Sequence, residues 1–221
     1  METIAEQFFN LEIMAAAWPM VLDGLWMTLA LCVVVVPLGL IGGLFAALGV
    51  LSERRWLRLP TIAFVDLFRA LPPLVLLIFV FAGLPFAGLD LSPFAAVVIA
   101  FFLNNAAYYG EIFRAGLISV GRGQHEAARS TGLSARQSLV YVVLPQATRN
   151  VLPDLVSNTV EVVKLTSLAS VVSLSEMLHM ADMARSVTYN ASPIVLAAGV
   201  YLVILWPLVR LAGRFERRVA A

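Results

Sequence analysis

Long apolar stretches recur along this chain of 221 residues. A helix needs about 20 apolar residues to cross the hydrocarbon core of a bilayer. Five stretches are long enough, at about 22–50, 61–84, 94–116, 150–172 and 193–212. Charged residues make up only 13% of the chain, whereas about 25% is usual in soluble domains. The sequence therefore predicts an all-α integral membrane protein with five transmembrane helices.

Arginine is distributed unevenly between the predicted spans. It clusters between spans one and two, between or beside spans three and four, and at the C-terminus. Residues 1–20 and the loop GLPFAGLDLSP contain neither Lys nor Arg. Because positively charged loops stay cytoplasmic, we expect the N-terminus outside and the C-terminus in the cytoplasm. We also expect an external segment at 1–20, a five-helix transmembrane domain at 21–215 and a cytoplasmic tail at 216–221.

A polar segment with helical signals separates the third and fourth spans, within about residues 121–145. Gln124 to Thr131 is predicted to form a short helix. Gly132 is placed to end that helix, since a glycine in the left-handed conformation commonly follows a helix C-terminus. Ser134 and Gln137 have the spacing of a capping box that starts a second helix.

The first of these two short helices carries a charged pair and two small residues. Glu126 and Arg129 are spaced i, i+3 for a surface ion pair. Ala127 and Ala128 would let a partner surface approach closely. Two interpretations stay open from these residues alone, namely a docking element and a solvated connecting loop. A connection of about thirty residues is longer than joining two helices requires.

The same segment carries a family motif. The sequence EAARSTGLSARQSLVYVVLP resembles the EAA signature of ATP-binding-cassette importer permeases, which is EAA, three residues, Gly, nine residues, an aliphatic residue, one residue and Leu-Pro. AAYYGEIFRAGLISVGRGQHEAARSTGL and LPQATRNVLPDLVSNTVEVVKLTSLAS are similar to runs in the polar amino acid uptake permeases. DLFRALPPLVLL departs from their usual FRGTPLLVQ.

That resemblance implies a coupling helix seated on a separate cytoplasmic ATPase. It implies coupling roles for five residues, which are Glu126, Ala127, Ala128, Gly132 and Leu133. The only lysine, Lys164, is followed by Leu165, so the chain has no Gly-Lys-Ser/Thr phosphate loop of its own. We therefore expect a transport subunit that is not itself an enzyme and has no cofactor, with ATP and Mg bound by the partner ATPase.

The resemblance also implies an assembly in the bacterial cytoplasmic (inner) membrane. The expected partners are an ABC ATPase dimer, a second permease chain (a copy or a paralogue), an external solute-binding protein and an amino acid substrate. One coupling segment per chain and a paired ATPase favour a twofold or pseudo-twofold arrangement. The net charge of +1 argues against a nucleic-acid partner, because no basic surface is available.

Polar side chains inside the predicted spans are the candidates for a substrate path. Such residues are energetically costly in lipid, so their presence there indicates a structural or functional role. Glu161 and Lys164 are either a structural ion pair or a polar path for the ammonium and carboxylate of an amino acid. Asn104, Tyr108 and Glu111 share one helical face.

The remaining polar residues leave similar alternatives open. The Asn104, Tyr108 and Glu111 face serves either interhelical hydrogen bonding or the substrate. Thr166 and Ser167 offer hydroxyls to a ligand or back to the preceding turn. His125 and His179 lack metal-ligand spacing, so no metal site is predicted.

Two other functional classes compete with the importer. An ion-coupled secondary carrier could use Glu161 and Lys164 as relays, and ATP dependence of uptake separates it from an importer. An intramembrane hydrolase is disfavoured, because it would need a nucleophile beside a histidine within the bilayer. Both histidines are predicted outside the spans.

Overall fold

The computed structural model describes residues 3–219, with side chains as far as Arg214, and these residues contain helices but no strand. Part of the predicted tail at 216–221, including all its side chains, lies outside the described residues. The α-helices are α1 Ile4–Phe8, α2 Leu11–Val50, α3 Arg55–Ala70, α4 Pro73–Ile78, α5 Pro93–Ser119, α6 Arg122–Ser130, α7 Ala135–Ser138, α8 Leu144–Leu165, α9 Met177–Thr188 and α10 Ser192–Val219. Two π-helices (Phe79–Gly83 and Leu139–Val143) and two 3-10 helices (Leu84–Ala87 and Thr166–Val172) join them.

The all-α prediction is confirmed, and the number of spans is four or five. Four helical segments are long and apolar enough to cross a membrane, namely Ile4–Val50, Pro93–Ser119, Ala135–Val172 and Ser192–Arg214. A fifth span is reached if the bent pair Arg55–Ala70 and Pro73–Ala87 is counted as one. The chain is therefore a multi-pass membrane protein.

The second predicted span, 61–84, is not one continuous helix. Helix α3 ends at Ala70, and Leu71 is extended, with φ −78° and ψ 128°. Pro72 is the cause, since a proline disfavours the α conformation of the residue before it and has no N–H to donate. Pro73 then occupies the first turn of α4, where a missing N–H costs nothing.

Helix α2 starts about eleven residues before the predicted apolar stretch, at Leu11. Asn10 caps it, because its side-chain oxygen accepts from the backbone N–H groups of Glu12 (3.0 Å) and Ile13 (3.1 Å). Such caps satisfy donors that the first helical turn leaves unpaired. The hydropathy pattern locates the membrane-crossing part of a helix and not its end.

The chain forms two compact units. The first comprises Met1–Val36, Pro72–Phe101 and Val160–Leu208. The second comprises Pro37–Leu71, Phe102–Thr159 and Val209–Ala221. The candidate substrate residues Glu161, Lys164, Thr166 and Ser167 lie in the first unit, and the remaining candidates lie in the second.

In the first unit, the start of α9 packs directly on α2. A buried apolar cluster joins Val21 to Met177, Ala181 and Ala197. Gly24 permits this contact, because a Cβ there would lie 2.7 Å from the Met177 Cα and 2.8 Å from the Glu176 carbonyl oxygen. Those atoms are backbone and cannot move aside as a flexible side chain would, so only glycine fits at this position.

A fully buried carboxylate caps α9. Glu176 is 0% exposed, and its oxygens accept from the backbone N–H groups of Leu178 (2.9 Å) and His179 (2.7 Å). The Tyr201 hydroxyl, on α10, donates to it at 3.3 Å. Burial raises the pKa of Glu176 to about 6, although these hydrogen bonds oppose the shift. Glu176 is not among the residues to which the sequence assigned a role.

Candidate functional site

The polar segment between α5 and α8 folds as predicted at its turn. Helix α6 runs from Arg122 to Ser130, starting two residues before the predicted Gln124. Gly132 has φ +88°, a conformation that a residue with a Cβ adopts at a cost of about 1 kcal/mol or more. The prediction that Gly132 ends the helix in the left-handed conformation is confirmed.

The second short helix is capped as the sequence indicates. The Ser134 hydroxyl accepts from the Gln137 backbone N–H at 3.3 Å, and the Gln137 side chain accepts from the Ser134 backbone N–H at 2.9 Å. This is the predicted capping box. Beyond α7, the π-helix Leu139–Val143 carries the chain into α8 without a break.

The two alanines of the segment face opposite environments. Ala127 is exposed, whereas Ala128 is buried and only 5% exposed. Helix α6 packs on the π-helix Leu139–Val143 of the same chain. Ala128 therefore helps to seat α6 on its own chain and is not the surface that a partner would touch. Leu133 is half-buried.

The predicted Glu126–Arg129 ion pair is absent from the ion pairs of the described residues. The Arg129 guanidinium instead donates to the Leu133 carbonyl at 2.8 Å. The arginine thus reaches across the turn at Gly132 to a backbone carbonyl beyond the end of α6. Glu126 stays exposed, so its carboxylate is available to another molecule.

In the first unit, Glu161 and Lys164 form the predicted ion pair on α8. Their side chains are 62% and 51% exposed in the single chain. An ion pair on a membrane-spanning helix needs a polar or hydrated surrounding. The pair must therefore face water or another protein chain, and not the lipid chains.

A cleft of about 340 Å³ lies beside Lys164 of this pair. Lys164, Ser167 and Tyr201 contribute its polar groups, and Leu178 and Ile194 are among its apolar walls. The Ser167 hydroxyl donates to the Lys164 carbonyl at 2.7 Å but can still accept from a ligand. Thr166 is fully buried and donates to the Val163 carbonyl at 2.7 Å, so both hydroxyls bond back to the preceding turn.

In the second unit, Asn104 and Tyr108 point at the end of α3. The Asn104 amide donates to the Phe68 carbonyl at 2.9 Å, and the Tyr108 hydroxyl to the Arg69 carbonyl at 3.4 Å. A continued helix would pair these carbonyls with the N–H groups four residues later, but residues 72 and 73 are prolines. The two side chains thus replace the donors that the prolines lack, which is a structural role.

Glu111, the third residue of the predicted face, lies at the centre of a cluster of charged side chains. It forms an ion pair and a hydrogen bond with Arg114, and lies 3.8 Å from Arg69. Arg69 also lies over the Tyr108 ring, 5.7 Å from its centroid. Two cations share one carboxylate here, so the cluster has excess positive charge. Arg69 and Glu111 are only partly exposed, at 39% and 29%.

Among the described residues, no group of three or more His, Cys, Asp or Glu side chains could hold a metal ion.

If the Glu161–Lys164 pair lines a solute path, neutralising it should impair uptake without unfolding the chain. We expect Glu161→Gln combined with Lys164→Met to lower uptake by about tenfold or more, since one lost charged contact is worth about 1.5–3 kcal/mol. The thermal midpoint should barely change, because exposed ion pairs contribute only about 0–1 kcal/mol. Uptake into cells or vesicles and thermal unfolding in detergent measure the two effects.

The control for this variant is a second exposed pair with the same i, i+3 spacing. Asp182 and Arg185, on α9, are 52% and 49% exposed and lie outside the spans. Asp182→Asn should leave uptake normal. Normal kinetics in the Glu161→Gln, Lys164→Met chain would remove the pair from the path.

Comparison with known proteins identifies the family. Residues 39–221 match the family described as the binding-protein-dependent transport system inner membrane component. The probable amino-acid ABC transporter permease YckA of Bacillus subtilis is 34% identical over 213 residues, covering 96% of this chain and 92% of the relative. The probable glutamine permease GlnP of the same organism is 36% identical, covering 95% and 96%.

Solved structures share the fold. The crystal structure of an amino acid ABC transporter with histidines aligns with a TM-score of 0.84 and 35% identity, covering 93% of this chain and 96% of that one. A chain of the inward-facing MetNI methionine ABC transporter aligns with a TM-score of 0.75 at 20% identity, covering 90% and 96%. The resemblance carried by the EAA motif is thereby confirmed, and the chain belongs to the binding-protein-dependent transport system inner membrane component family.

Proposed function

We propose that this chain is the membrane-spanning subunit of an ATP-driven amino acid importer in the bacterial cytoplasmic membrane. The observation that carries the proposal is the exposed two-helix segment α6–α7, with its left-handed Gly132, in a chain whose relatives are named amino-acid ABC transporter permeases. The segment docks on a separate cytoplasmic ATPase dimer, which binds ATP and Mg and does the hydrolysis. The permease chain itself is not an enzyme.

The docking surface consists of Glu126 and Ala127 on α6, with Leu133 beside them. Glu126 supplies a charged contact, and Ala127 lets the partner approach closely. Gly132 and Ala128 act indirectly, since the first fixes the angle between the two short helices and the second seats α6 on its own chain. The segment at about 121–145 is the cytoplasmic part of a transmembrane domain at 21–215, with 1–20 outside and 216–221 in the cytoplasm.

The substrate path includes the cleft lined by Lys164 and Ser167, together with Glu161, the ion-pair partner of Lys164. The carboxylate and ammonium of this pair complement the two charges of an amino acid backbone, and their exposure in the single chain supports a hydrated site. Thr166 supports the turn that carries Ser167 through its bond to the Val163 carbonyl. Asn104, Tyr108 and Glu111, in the second unit, support the end of α3 through the contacts described above. A solute-binding protein delivers the amino acid from outside, and a second permease chain completes the path.

Co-purification tests the class of transporter. The tagged full-length chain, purified in a mild neutral detergent from its own organism, should elute with an ATPase. Vesicles that contain the complex should take up an amino acid only when ATP is present on the side of the membrane that carries the ATPase. Uptake driven by an ion gradient without ATP would assign the chain to a secondary carrier instead.

A further inference from the structure

An apolar groove of about 530 Å³ lies between α2 and α3 in the second unit. Its walls include Phe45, Ala46 and Leu48 from α2 and Leu57, Thr61 and Phe64 from α3. The one hydroxyl among these, on Thr61, donates to the Leu57 carbonyl at 2.8 Å. The side chains of the groove therefore offer no polar group that lacks a partner, and they favour a ligand that is apolar along its length.

The groove has the length of a lipid chain segment. On α2 it extends from Gly42 to Gly49, two helical turns or about 10 Å at 1.5 Å per residue. The hydrocarbon of one leaflet is about 15 Å thick. Phe45 is 70% exposed, so the groove opens sideways to the surroundings of the chain.

The short turn that joins α2 to α3 carries a cluster of arginines. Arg54 and Arg55 are exposed, and Arg58 is half-buried one turn along α3. None of the three is in an ion pair within the part of the chain that the structure describes. Glu53 is the only carboxylate in residues 51–58, so the turn is net positive. Trp56 is 70% exposed, as is common for an aromatic anchor at a membrane interface.

The groove and the arginines are placed so that one ligand could contact both. Arg54, the N-cap residue of α3, and Arg58, in its first turn, each lie three residues before a wall residue of the groove, Leu57 and Thr61. The charged residues are therefore at one end of the groove. A ligand that fills the groove and reaches the turn must be apolar along its length and anionic at its end. An anionic phospholipid has that form, whereas a zwitterionic phospholipid presents an additional ammonium to the arginines.

We propose that the α2–α3 hairpin binds one anionic phospholipid, with an acyl chain in the groove and the phosphate against Arg54, Arg55 and Arg58. The site is independent of the proposed transport role, since it requires only that the chain is in a membrane. It makes the α2–α3 hairpin sensitive to the headgroup composition of the surrounding leaflet.

Native mass spectrometry of the full-length chain in neutral detergent tests this site. Phosphatidylglycerol should bind at least about tenfold more tightly than phosphatidylcholine of the same acyl chains, since each arginine near an anionic headgroup contributes about 1 kcal/mol. Arg54→Gln combined with Arg58→Gln should weaken phosphatidylglycerol binding by about 30-fold, or about 2 kcal/mol at 1.4 kcal/mol per tenfold. Binding of phosphatidylcholine should not change.

Three comparisons make the result decisive. Arg214→Gln, another exposed arginine at the end of the described side chains, should leave phosphatidylglycerol binding unchanged. Phe45→Ala should weaken both lipids by about fivefold, since it removes an exposed wall worth roughly 1 kcal/mol of apolar contact. Glycerol 3-phosphate, which has the anion without acyl chains, should not compete at the lipid's concentration.

Equal binding of the two lipids, or no effect of the arginine changes, would overturn the proposal. Competition by glycerol 3-phosphate as strong as by the lipid would reduce the site to a surface anion contact. Disulfide formation between two chains carrying Phe45→Cys in a Cys32→Ala background, in lipid-saturated membranes, would assign the groove to a second copy of the chain and would also overturn it.

Discussion

Uptake is expected to fall by at least about tenfold when Ala127→Arg is combined with Gly132→Asp, because disrupting an interface anchor costs about 2 kcal/mol or more. Ala127 is exposed on α6, so an arginine there blocks close approach without entering the core. A Cβ at Gly132 meets no atom within 4 Å, so the cost of that substitution is conformational and falls on the angle between α6 and α7. The chain should still insert normally.

Uptake, membrane abundance and ATPase co-elution are measured together for this variant. A lost ATPase, or a retained ATPase whose hydrolysis is no longer stimulated, is the expected result. Gly121→Asp is the matched control, because it adds the same side chain to the same segment at an ordinary φ of −59° and at the N-cap of α6, where aspartate is favourable. Full transport by the double variant at normal abundance would show that the segment is a connecting loop.

Replacement of Glu176 by alanine should destabilise the first unit strongly. The change leaves the N–H groups of Leu178 and His179 and the Tyr201 hydroxyl without their acceptor in a buried site. Each such group costs about 1–3 kcal/mol, so a total loss of about 3 kcal/mol or more is expected. Thermal unfolding in detergent measures it, and Asp90→Ala, at an exposed loop carboxylate, should leave the midpoint unchanged.

Glu176→Gln separates the hydrogen bonds from the charge. Glutamine keeps an acceptor for α9, so this variant should be much more stable than Glu176→Ala. The folded pKa of about 6 lies above the ordinary value of 4.5, so the folded chain holds its proton more tightly than the unfolded chain. The stability that Glu176 contributes is therefore greatest below pH 4.5 and falls as the pH rises through about 6.

The wild-type chain should accordingly have a higher thermal midpoint at about pH 5 than at about pH 7. This difference in midpoint between the two pH values should be absent in the Glu176→Gln chain. An identical pH dependence in both chains would show that Glu176 does not titrate in this range. Wild-type stability of Glu176→Ala would contradict the capping role itself.

The sequence was most informative where local chemistry decides the structure. Gly132, Ser134 and Gln137 were assigned correctly, because the left-handed glycine and the capping box depend on residues within one turn. The shared face of Asn104, Tyr108 and Glu111 follows from helical periodicity alone. None of these positions needs knowledge of a distant segment.

Errors arose where the structure depends on contacts that are distant in sequence or on a local break. Hydropathy averages over a window, so it did not register the break at Leu71, although Pro72 signals it. The burial of Ala128 was not predicted, because Ala127 and Ala128 are adjacent and equally apolar, so the residues of α6 alone do not say which of them faces the rest of the chain. Glu176 was missed because its burial depends on Gly24 and Tyr201, which lie far away in the sequence.

The break after α3 has a consequence for which sequences this fold can accept. A helix that continued past Leu71 would bond the carbonyls of Phe68 and Arg69 internally, and Asn104 and Tyr108 would then be polar groups without acceptors on α5. Conversely, an apolar residue at position 104 is tolerable only if α3 continues past Ala70 and bonds its own carbonyls. Substitutions in these two segments are thus not independent. As related sequences diverge, the end of α3 and the face of α5 that contacts it have to change together.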